Sequence, residues 1–488
     1  MTLLSRQRDG ALTPDGAPRA SSVRWVLAGL SLSMVLSSLG TSSANVALPT
    51  LAHAFGASFQ EVQWIVLAYL LAVTSLVVSV GRLGDLTGRR RLLLAGISLF
   101  TAGSVLCGAA PALGFLIAAR ALQGTGAAVM MALTMAFVGE TVPASRTGSA
   151  MGLLGTMSAI GTALGPSLGG ALISGPGWRA IFLLNAPLGL LALVLAHRHL
   201  PTDRRRPTAE RAGFDRLGTL LLALTLAAYA LAMTLGHGSF GPLNLVLLLV
   251  AAGGAGLFVR AESRAASPLI RPAALRDPLL RAGLGTSALV STVMMGTLVV
   301  GPFYLARGLG LGNAAVGLAL SVGPLATALA GVPAGRIADR FGAPRMTVVG
   351  LAGIAVGSVA LAVTPTALGL VGYLAPIVVV TAGYAVFQTA NNTTVMADVH
   401  PDRRGVVSGM LNLSRNLGLI TGATVMGAVF SLAAATADGT RNVATDVTTA
   451  HPAAVAAGMR ITFAVAALLI LGALVLTVAG RARARRAG

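Results

Sequence analysis

Long apolar stretches alternate with short polar ones along almost the whole chain. Fourteen apolar runs are separated by glycine, proline and polar clusters such as "GAAPALG" and "GHGSFGP". Each run is long enough to cross a bilayer as an α-helix, which takes about 20 residues. The predicted spans are 25–48, 62–82, 91–110, 112–139, 147–174, 178–198, 216–235, 241–260, 282–305, 314–337, 345–364, 369–397, 405–433 and 457–480.

The composition points to the same class of protein. Hydrophobic residues make up 55% of the 488 residues and charged residues only 10%, whereas a soluble globular chain has about 25% charged residues. The pattern therefore predicts an all-α polytopic membrane protein. The segment 1–23 is polar and contains two prolines, and we expect it to be a disordered cytoplasmic tail.

The arginines that give the net charge of +20 are unevenly distributed along the chain. Every basic residue other than histidine is arginine, and the arginines concentrate in the gaps after even-numbered spans and in the tail "RARARR". This alternation is the positive-inside pattern that orients membrane helices, and it argues against a nucleic-acid partner. It predicts a plasma-membrane protein with both termini in the cytoplasm.

The two ends of the chain share an internal repeat. Glycines and charges of "GRLGDLTGRRR" at 81–91 recur in "GRIADRFGAPR" at 335–345, 254 residues later. Four glycines within 148–165 recur within 405–422, 257 residues later. Spans 2–5 therefore correspond to spans 10–13, which predicts two bundles related by pseudo-two-fold symmetry that can rock about a central cavity.

The repeat divides the chain into five parts. Each half should contain six helices, and two extra helices are left between them. The parts are the tail 1–23, an N-terminal bundle 24–200, a linker with two extra transmembrane helices 201–280, a C-terminal bundle 281–480 and a basic cytoplasmic tail 481–488.

Several motifs, in order along the chain, resemble those of the major facilitator superfamily. The resemblance is closer to its drug:proton antiporter branch with fourteen transmembrane helices. The motifs are "NVALP" at 45–49, "QWIVLAYLL" at 63–71, "GRLGDLTGRRR" at 81–91, "RALQGTGAA" at 120–128, "GTALGPSLGG" at 161–170 and "SRNLG" at 414–418. The resemblance implies the major facilitator fold and export of hydrophobic drugs, antibiotics or metabolites by alternating access. It also implies the proton gradient as driving force, with no bound cofactor.

The signature turn is predicted to form a cytoplasmic latch. Asp85 can accept hydrogen bonds from amides at a helix N-terminus, where the helix dipole favours an anion, and the resemblance places that terminus at the start of span 13. Gly81 and Gly88 allow a tight turn, and Arg89 can pair with Asp85 or Glu140. The counterparts in the second half are Asp339, Arg340 and Asp398.

A glycine stripe in span 5 predicts close helix packing. Gly161, Gly165 and Gly169 recur every four residues and share one face, a spacing that lets membrane helices approach closely. Pro166 removes a backbone donor and predicts a kink. The resemblance places this helix beside span 10 or its neighbour, as a hinge or a seal against ion leak. The alternative is packing without gating.

Polar side chains inside the spans predict a wet substrate cavity. Arg120 and Arg415 lie well inside spans 4 and 13, where an arginine costs roughly 2.5–3.5 kcal/mol on insertion. We expect Arg120 to bond polar groups of span 1, such as Asn45 or Thr41. The assigned positions are Ser38, Ser42 and Asn45, then Tyr69, Arg120 and Gln123, then Tyr384, Gln388 and Asn391, and finally Asn412, Arg415 and Asn416. The alternative for each is an interhelical hydrogen bond without substrate contact.

The acids of the chain depart from the resembled branch. Gly40 stands where most members carry an aspartate, and no Asp, Glu, His or Lys lies deep in any span. A cavity with two arginines and no acid suits neutral or anionic amphiphiles. The prediction is a monomeric exporter of a small amphiphilic molecule; uptake or facilitated diffusion of a neutral or anionic compound is the alternative. No His/Asp/Glu cluster or nucleotide-binding loop suggests an enzyme or a metal site.

Overall fold

The computed structural model describes residues 20–142, 147–201, 215–235, 241–264, 277–397, 404–438 and 447–487. No strand occurs within these ranges, and the predicted all-α fold is confirmed. The helices are α1 (Ala20–Phe55), α2 (Phe59–Thr87), α3 (Arg89–Gly108), α4 (Leu113–Thr141), α5 (Thr147–Ser174), α6 (Arg179–Leu183), α7 (Asn185–His199), α8 (Arg216–Thr234), α9 (Pro242–Arg264), α10 (Pro278–Phe303), α11 (Asn313–Phe341), α12 (Ala343–Val363), α13 (Gly369–Met396), α14 (Arg404–Thr421), α15 (Gly427–Ala437) and α16 (Pro452–Ala487).

Thirteen helical segments of the described ranges are long and apolar enough to cross a membrane. Helices α6 and α7 together make one of them, and α14 runs into α15 through a π-helical segment, Gly422–Met426. A second π-helical segment, Tyr304–Gly308, follows α10. The remaining predicted span, 147–174, is α5, a helix of 28 residues.

The signature turn is much shorter than the sequence pattern predicts. Helix α2 continues to Thr87 and α3 begins at Arg89, so Gly88 alone joins them, with a φ of 99°. Gly342 joins α11 to α12 in the same way, with a φ of 87°. Positive φ at this value favours glycine because it has no Cβ. Each half therefore reverses direction at a single residue.

The repeat extends into the packing of each half. A Cβ built on Gly103 of α3 would lie 2.8 Å from the backbone nitrogen of Gln123 on α4. A Cβ built on Gly357 of α12 would lie 3.0 Å from the backbone nitrogen of Val380 on α13. The two glycines are 254 residues apart and their neighbours 257, the same offsets as the motifs. The halves therefore share one plan of glycine-mediated helix contacts.

The two extra helices form a hairpin that packs on the N-terminal half through α8. Trp64 Nε1 of α2 donates to Thr234 Oγ1 at 3.1 Å, and the hydroxyls of Ser79 and Thr219 lie 2.6 Å apart. Helix α8 also touches the π-helical segment Gly422–Met426. The hairpin therefore lies beside the seam between the halves.

The ends of the bundle differ in charge. The side where α2 meets α3 at Gly88 and α11 meets α12 at Gly342 carries Arg89–Arg91 and Arg345, and is called the arginine-rich side. The opposite side is called the arginine-poor side. The predicted tail 481–488 lies on the arginine-rich side as far as it is described, where α16 continues as helix to Ala487.

Candidate functional site

The two halves contact each other near the arginine-poor side. Gln60 Nε2 at the start of α2 donates to Ser431 Oγ of α15 at 2.8 Å. The ring of Phe59 packs edge-on against the rings of Phe303 and Phe430, with centroids 4.8 and 5.5 Å apart. All five side chains are buried. This group, Phe59, Gln60, Phe303, Phe430 and Ser431, is called the aromatic seal.

Helices α5 and α11 make a second contact between the halves on the same side. A Cβ built on Gly170 would lie 2.8 Å from the Cα of Gly317, so the two backbones touch. Nearby, Thr50 Oγ1 of α1 donates to Asn313 Oδ1 at the start of α11, at 3.3 Å. The resemblance placed span 5 beside span 10 or its neighbour, and α11 corresponds to span 10; the hinge or seal role of span 5 stays a prediction.

Helices α5 and α11 leave open space towards the arginine-rich side. A Cβ built on Gly155 of α5, or on Gly331 or Gly335 of α11, would meet no atom within 4 Å. The described contacts therefore close the space between the halves on the arginine-poor side and leave these glycines uncovered on the other. The halves are thus in contact on the arginine-poor side and apart at these glycine positions.

The glycine stripe of α5 faces a different helix from the contact between the halves. Backbone or side-chain atoms of α1 lie directly against Gly161, Gly165 and Gly169. The hydroxyl of Ser42 on α1 donates to the carbonyl of Gly161 at 3.3 Å. The stripe thus joins two helices of the same half, while the next residue, Gly170, together with the carbonyl of Pro166, meets α11.

Arg120 is the centre of a buried network that joins four helices. Its Nε donates to the carbonyl of Ile65 on α2 at 2.9 Å, and its Nη1 donates to the carbonyl of Gly40 on α1 at 3.0 Å. Nη1 also donates to Gln123 Oε1, whose amide donates to Ser104 Oγ on α3 at 2.7 Å. The guanidinium therefore reaches α1 through a backbone carbonyl and not through Asn45 or Thr41.

Aromatic rings complete the surroundings of Arg120. Its Cζ lies 4.3 Å from the centroid of the Tyr69 ring, close enough for a cation–π interaction. Arg120 itself is 0% exposed. Carbonyl oxygens, Gln123 and a ring therefore stabilise the guanidinium without an acid, while its Nη2 has no hydrogen-bond partner among the described residues.

Five of the predicted cavity residues therefore lie inside the N-terminal bundle. The structure corrects their placement because each is enclosed between helices. They are Ser42, Asn45, Tyr69, Arg120 and Gln123, all at most 2% exposed. The alternative interpretation, interhelical hydrogen bonding, describes them better.

The Arg120 network should support stability more than transport. We expect Arg120→Ala to destabilise the protein by about 2–5 kcal/mol, because truncating a buried side chain leaves a cavity and unpaired acceptors. Arg120→Met, which keeps most of the volume, should lose less. Thermal unfolding of the purified proteins measures the difference. A wild-type midpoint for Arg120→Ala would contradict this role.

The predicted cavity residues that keep some exposure are fewer. They are Ser38, Tyr384, Gln388, Asn412 and Arg415. Two further candidates, Asn391 and Asn416, are 4% exposed and make hydrogen bonds to the Gly283 carbonyl and to Asn412 Oδ1. The half-exposed group lies mainly on α13 and α14, so the polar face of the C-terminal half dominates the candidate site.

The predicted latch falls largely outside the described residues. The side chains of Asp85, Glu140 and Asp339, and the whole of Asp398, are among those the structure does not describe. Arg340 is exposed and lies 5.4 Å from the ring of Phe341, and Gly81 has open space around it. The latch stays a prediction.

Sequence reasoning missed the aromatic seal and one buried acid. Glu262, at the end of α9, is 2% exposed and approaches Asp215 near Gly218. Predicted span 8 ended at residue 260, so the acid was counted with the following loop. For the aromatic seal, a polar Gln60 at the very start of an apolar span was the available signal.

Comparison with known proteins gives consistent similarities. A family model described as Major Facilitator Superfamily matches residues 30–423. The uncharacterized transporter YebQ of Escherichia coli (strain K12) is 32% identical over 423 residues, which cover 86% of this chain and 90% of YebQ. The multidrug resistance protein Stp of Mycobacterium tuberculosis (strain ATCC 25618 / H37Rv) is 32% identical over 424 residues, covering 85% and 76%.

One solved structure shows how far the fold agrees. A bacterial homologue of the human lysosomal transporter Spinster, in an inward-facing and unoccupied conformation, superimposes with a TM-score of 0.70. The match covers 95% of this chain and 98% of that one, at 18% sequence identity. Similarity at this level of identity concerns the fold alone.

Proposed function

The chain belongs to the major facilitator superfamily, and from this premise we propose that it exports hydrophobic drugs, antibiotics or metabolites across the plasma membrane. Export proceeds by alternating access, and the proton gradient drives it. Relatives named as multidrug resistance proteins support this assignment. The family and the fold are those of transporters and not, in general, of enzymes.

The one-sided contact between the halves carries the proposal. Gln60 with Ser431, and Gly170 with Gly317, close the arginine-poor side, while Gly155 and the glycines opposite it are uncovered. The positive-inside pattern assigns the arginine-rich side to the cytoplasm. In this state an exporter would load substrate from the cytoplasm or the inner leaflet and an importer would release it there, so the direction of transport rests on the relatives named as multidrug resistance proteins.

Transport into inverted membrane vesicles tests direction and driving force together. With the cytoplasmic face outside, an exporter should accumulate a fluorescent dye or antibiotic from a panel against its gradient. We expect accumulation in energised vesicles with the protein, its loss on adding an uncoupler, and none in vesicles without the protein. Accumulation that survives the uncoupler would contradict proton coupling. Equilibration without accumulation would instead favour facilitated diffusion.

A further inference from the structure

The internal repeat singles out a polar patch that helix packing does not require. Position 415 on α14 is related by the 257-residue offset to Ser158 on α5. The hydroxyl oxygens of Ser158 and Ser38 of α1 are 2.7 Å apart. A small side chain at position 158 is therefore enough for α5 to pack against α1. In the C-terminal half the same position is Arg415. Its neighbour Asn412 corresponds to Gly155, which meets open space.

Arg415 lies deep in the bundle and is only half-buried. It follows the start of α14 by 11 residues, a depth of about 16 Å at about 1.5 Å per residue. Helix α14 packs mainly against α10 and also touches α13, which carries Tyr384. No described side chain forms a hydrogen bond or ion pair with Arg415.

No acid lies at this depth in the helices around Arg415. Helices α1, α10, α13 and α14 contain no Asp or Glu. The two acids of α2 are Glu61 and Asp85, near opposite ends of that helix. Arg120 is stabilised by carbonyl oxygens and a ring, whereas Arg415 has neither these contacts nor a counter-charge among the described residues.

We infer that Arg415 binds an anionic group of the transported molecule, such as a carboxylate, sulfonate or phosphate. The inference rests on the proposed export function for the identity of the site. An ionised residue inside a membrane is costly and marks a functional position. A planar guanidinium matches the oxygens of an anion with two parallel hydrogen bonds, and such charge-assisted bonds are the strong ones. The substrate class is therefore an anionic amphiphile.

Two fluorescent probes that differ by a sulfonate test this inference on purified protein. Anilinonaphthalene sulfonate is anionic, and phenylnaphthylamine is its neutral counterpart. Arg415→Gln should weaken binding of the sulfonate by about tenfold or more, since hydrogen bonds to charged groups contribute about 1.5–3 kcal/mol. Binding of the neutral probe should change less than twofold. Arg415→Lys, which keeps the charge, should retain most of the sulfonate affinity.

Arg307→Gln is the matched control, because Arg307 is exposed in the π-helical segment after α10, on the arginine-poor side and outside the candidate site. It should alter neither affinity. Equal losses for both probes in Arg415→Gln, or no loss for either, would overturn the inference. Charge-selective binding without any transport in vesicles would leave the inference standing and reject export. Transport of the neutral probe together with unselective binding would support export and overturn the inference about Arg415.

Discussion

A cross-link between Gln60→Cys on α2 and Ser431→Cys on α15 should abolish transport. These side chains hydrogen-bond across the aromatic seal at 2.8 Å, and alternating access requires the seal to separate in each cycle. The pair would be introduced with Cys107→Ala, which removes the one native cysteine. A short bis-methanethiosulfonate reagent should reduce vesicle transport to background, and dithiothreitol should restore it.

Single-cysteine variants treated with the same reagent control for modification alone, and should keep their untreated transport rate. The expected loss of transport comes from holding α2 and α15 together, and not from modification of either cysteine alone. Full transport by verified cross-linked protein would show that α2 and α15 stay together throughout the cycle, and the proposed movement of the halves would then be wrong.

Gly317→Val on α11 should prevent the arginine-poor side from closing, whereas the cross-link prevents it from opening. We expect a comparable loss of transport. The backbones of α5 and α11 touch at Gly170 and Gly317, so a branched side chain forces the helices apart on the arginine-poor side. Because the chain has another conformation available, we expect folded protein that cannot close this side. A cysteine at Thr50 should then react faster with a membrane-impermeant maleimide added from the arginine-poor side.

Gly256→Val on α9 is the matched control, since the same change there meets open space. It should leave transport and Thr50→Cys labelling unchanged. Normal transport by Gly317→Val, at normal protein abundance, would mean that the close backbone contact is not part of the cycle. Loss of folded protein alone would show instead that the contact holds the fold together.

The sequence predicted the fold well because its signals are local or periodic. Span lengths follow from runs of apolar residues, and the repeat offset of 254 predicted that Gly88 and Gly342 play the same part in each half. The structure confirms the helical fold and adds that each turn is one residue long. The pattern could not show this, because polar residues at the end of a helix look the same as polar residues in a loop.

The candidate site was harder to predict, because a polar residue in an apolar span can either line a cavity or make a hydrogen bond between packed helices. Helical periodicity placed Asn45 and Arg415 alike on polar stripes. Burial separates them, since Asn45 is enclosed and donates to the carbonyl of Thr41, whereas Arg415 is only half-buried. That distinction depends on which helices pack against each face, and a single sequence does not encode it in any spacing.

The aromatic seal was invisible for a related reason. Gln60 and Ser431 are 371 residues apart and lie in different halves. The repeat relates positions of one half to equivalent positions of the other, but it does not predict which residues touch across the interface. Phe59 and Phe430 are ordinary apolar residues of their spans until the two bundles are brought together.

The contact between Gly170 and Gly317 brings the backbones of α5 and α11 together without side chains between them, so it can serve as a pivot for the two helices. At about 1.5 Å of rise per residue, Gly331 lies about 21 Å along α11 from Gly317, so a tilt of about 10° displaces it by about 4 Å. Displacement of this size is comparable to the width of one side chain. A slight turn about this point would therefore change access at the far end of the two helices.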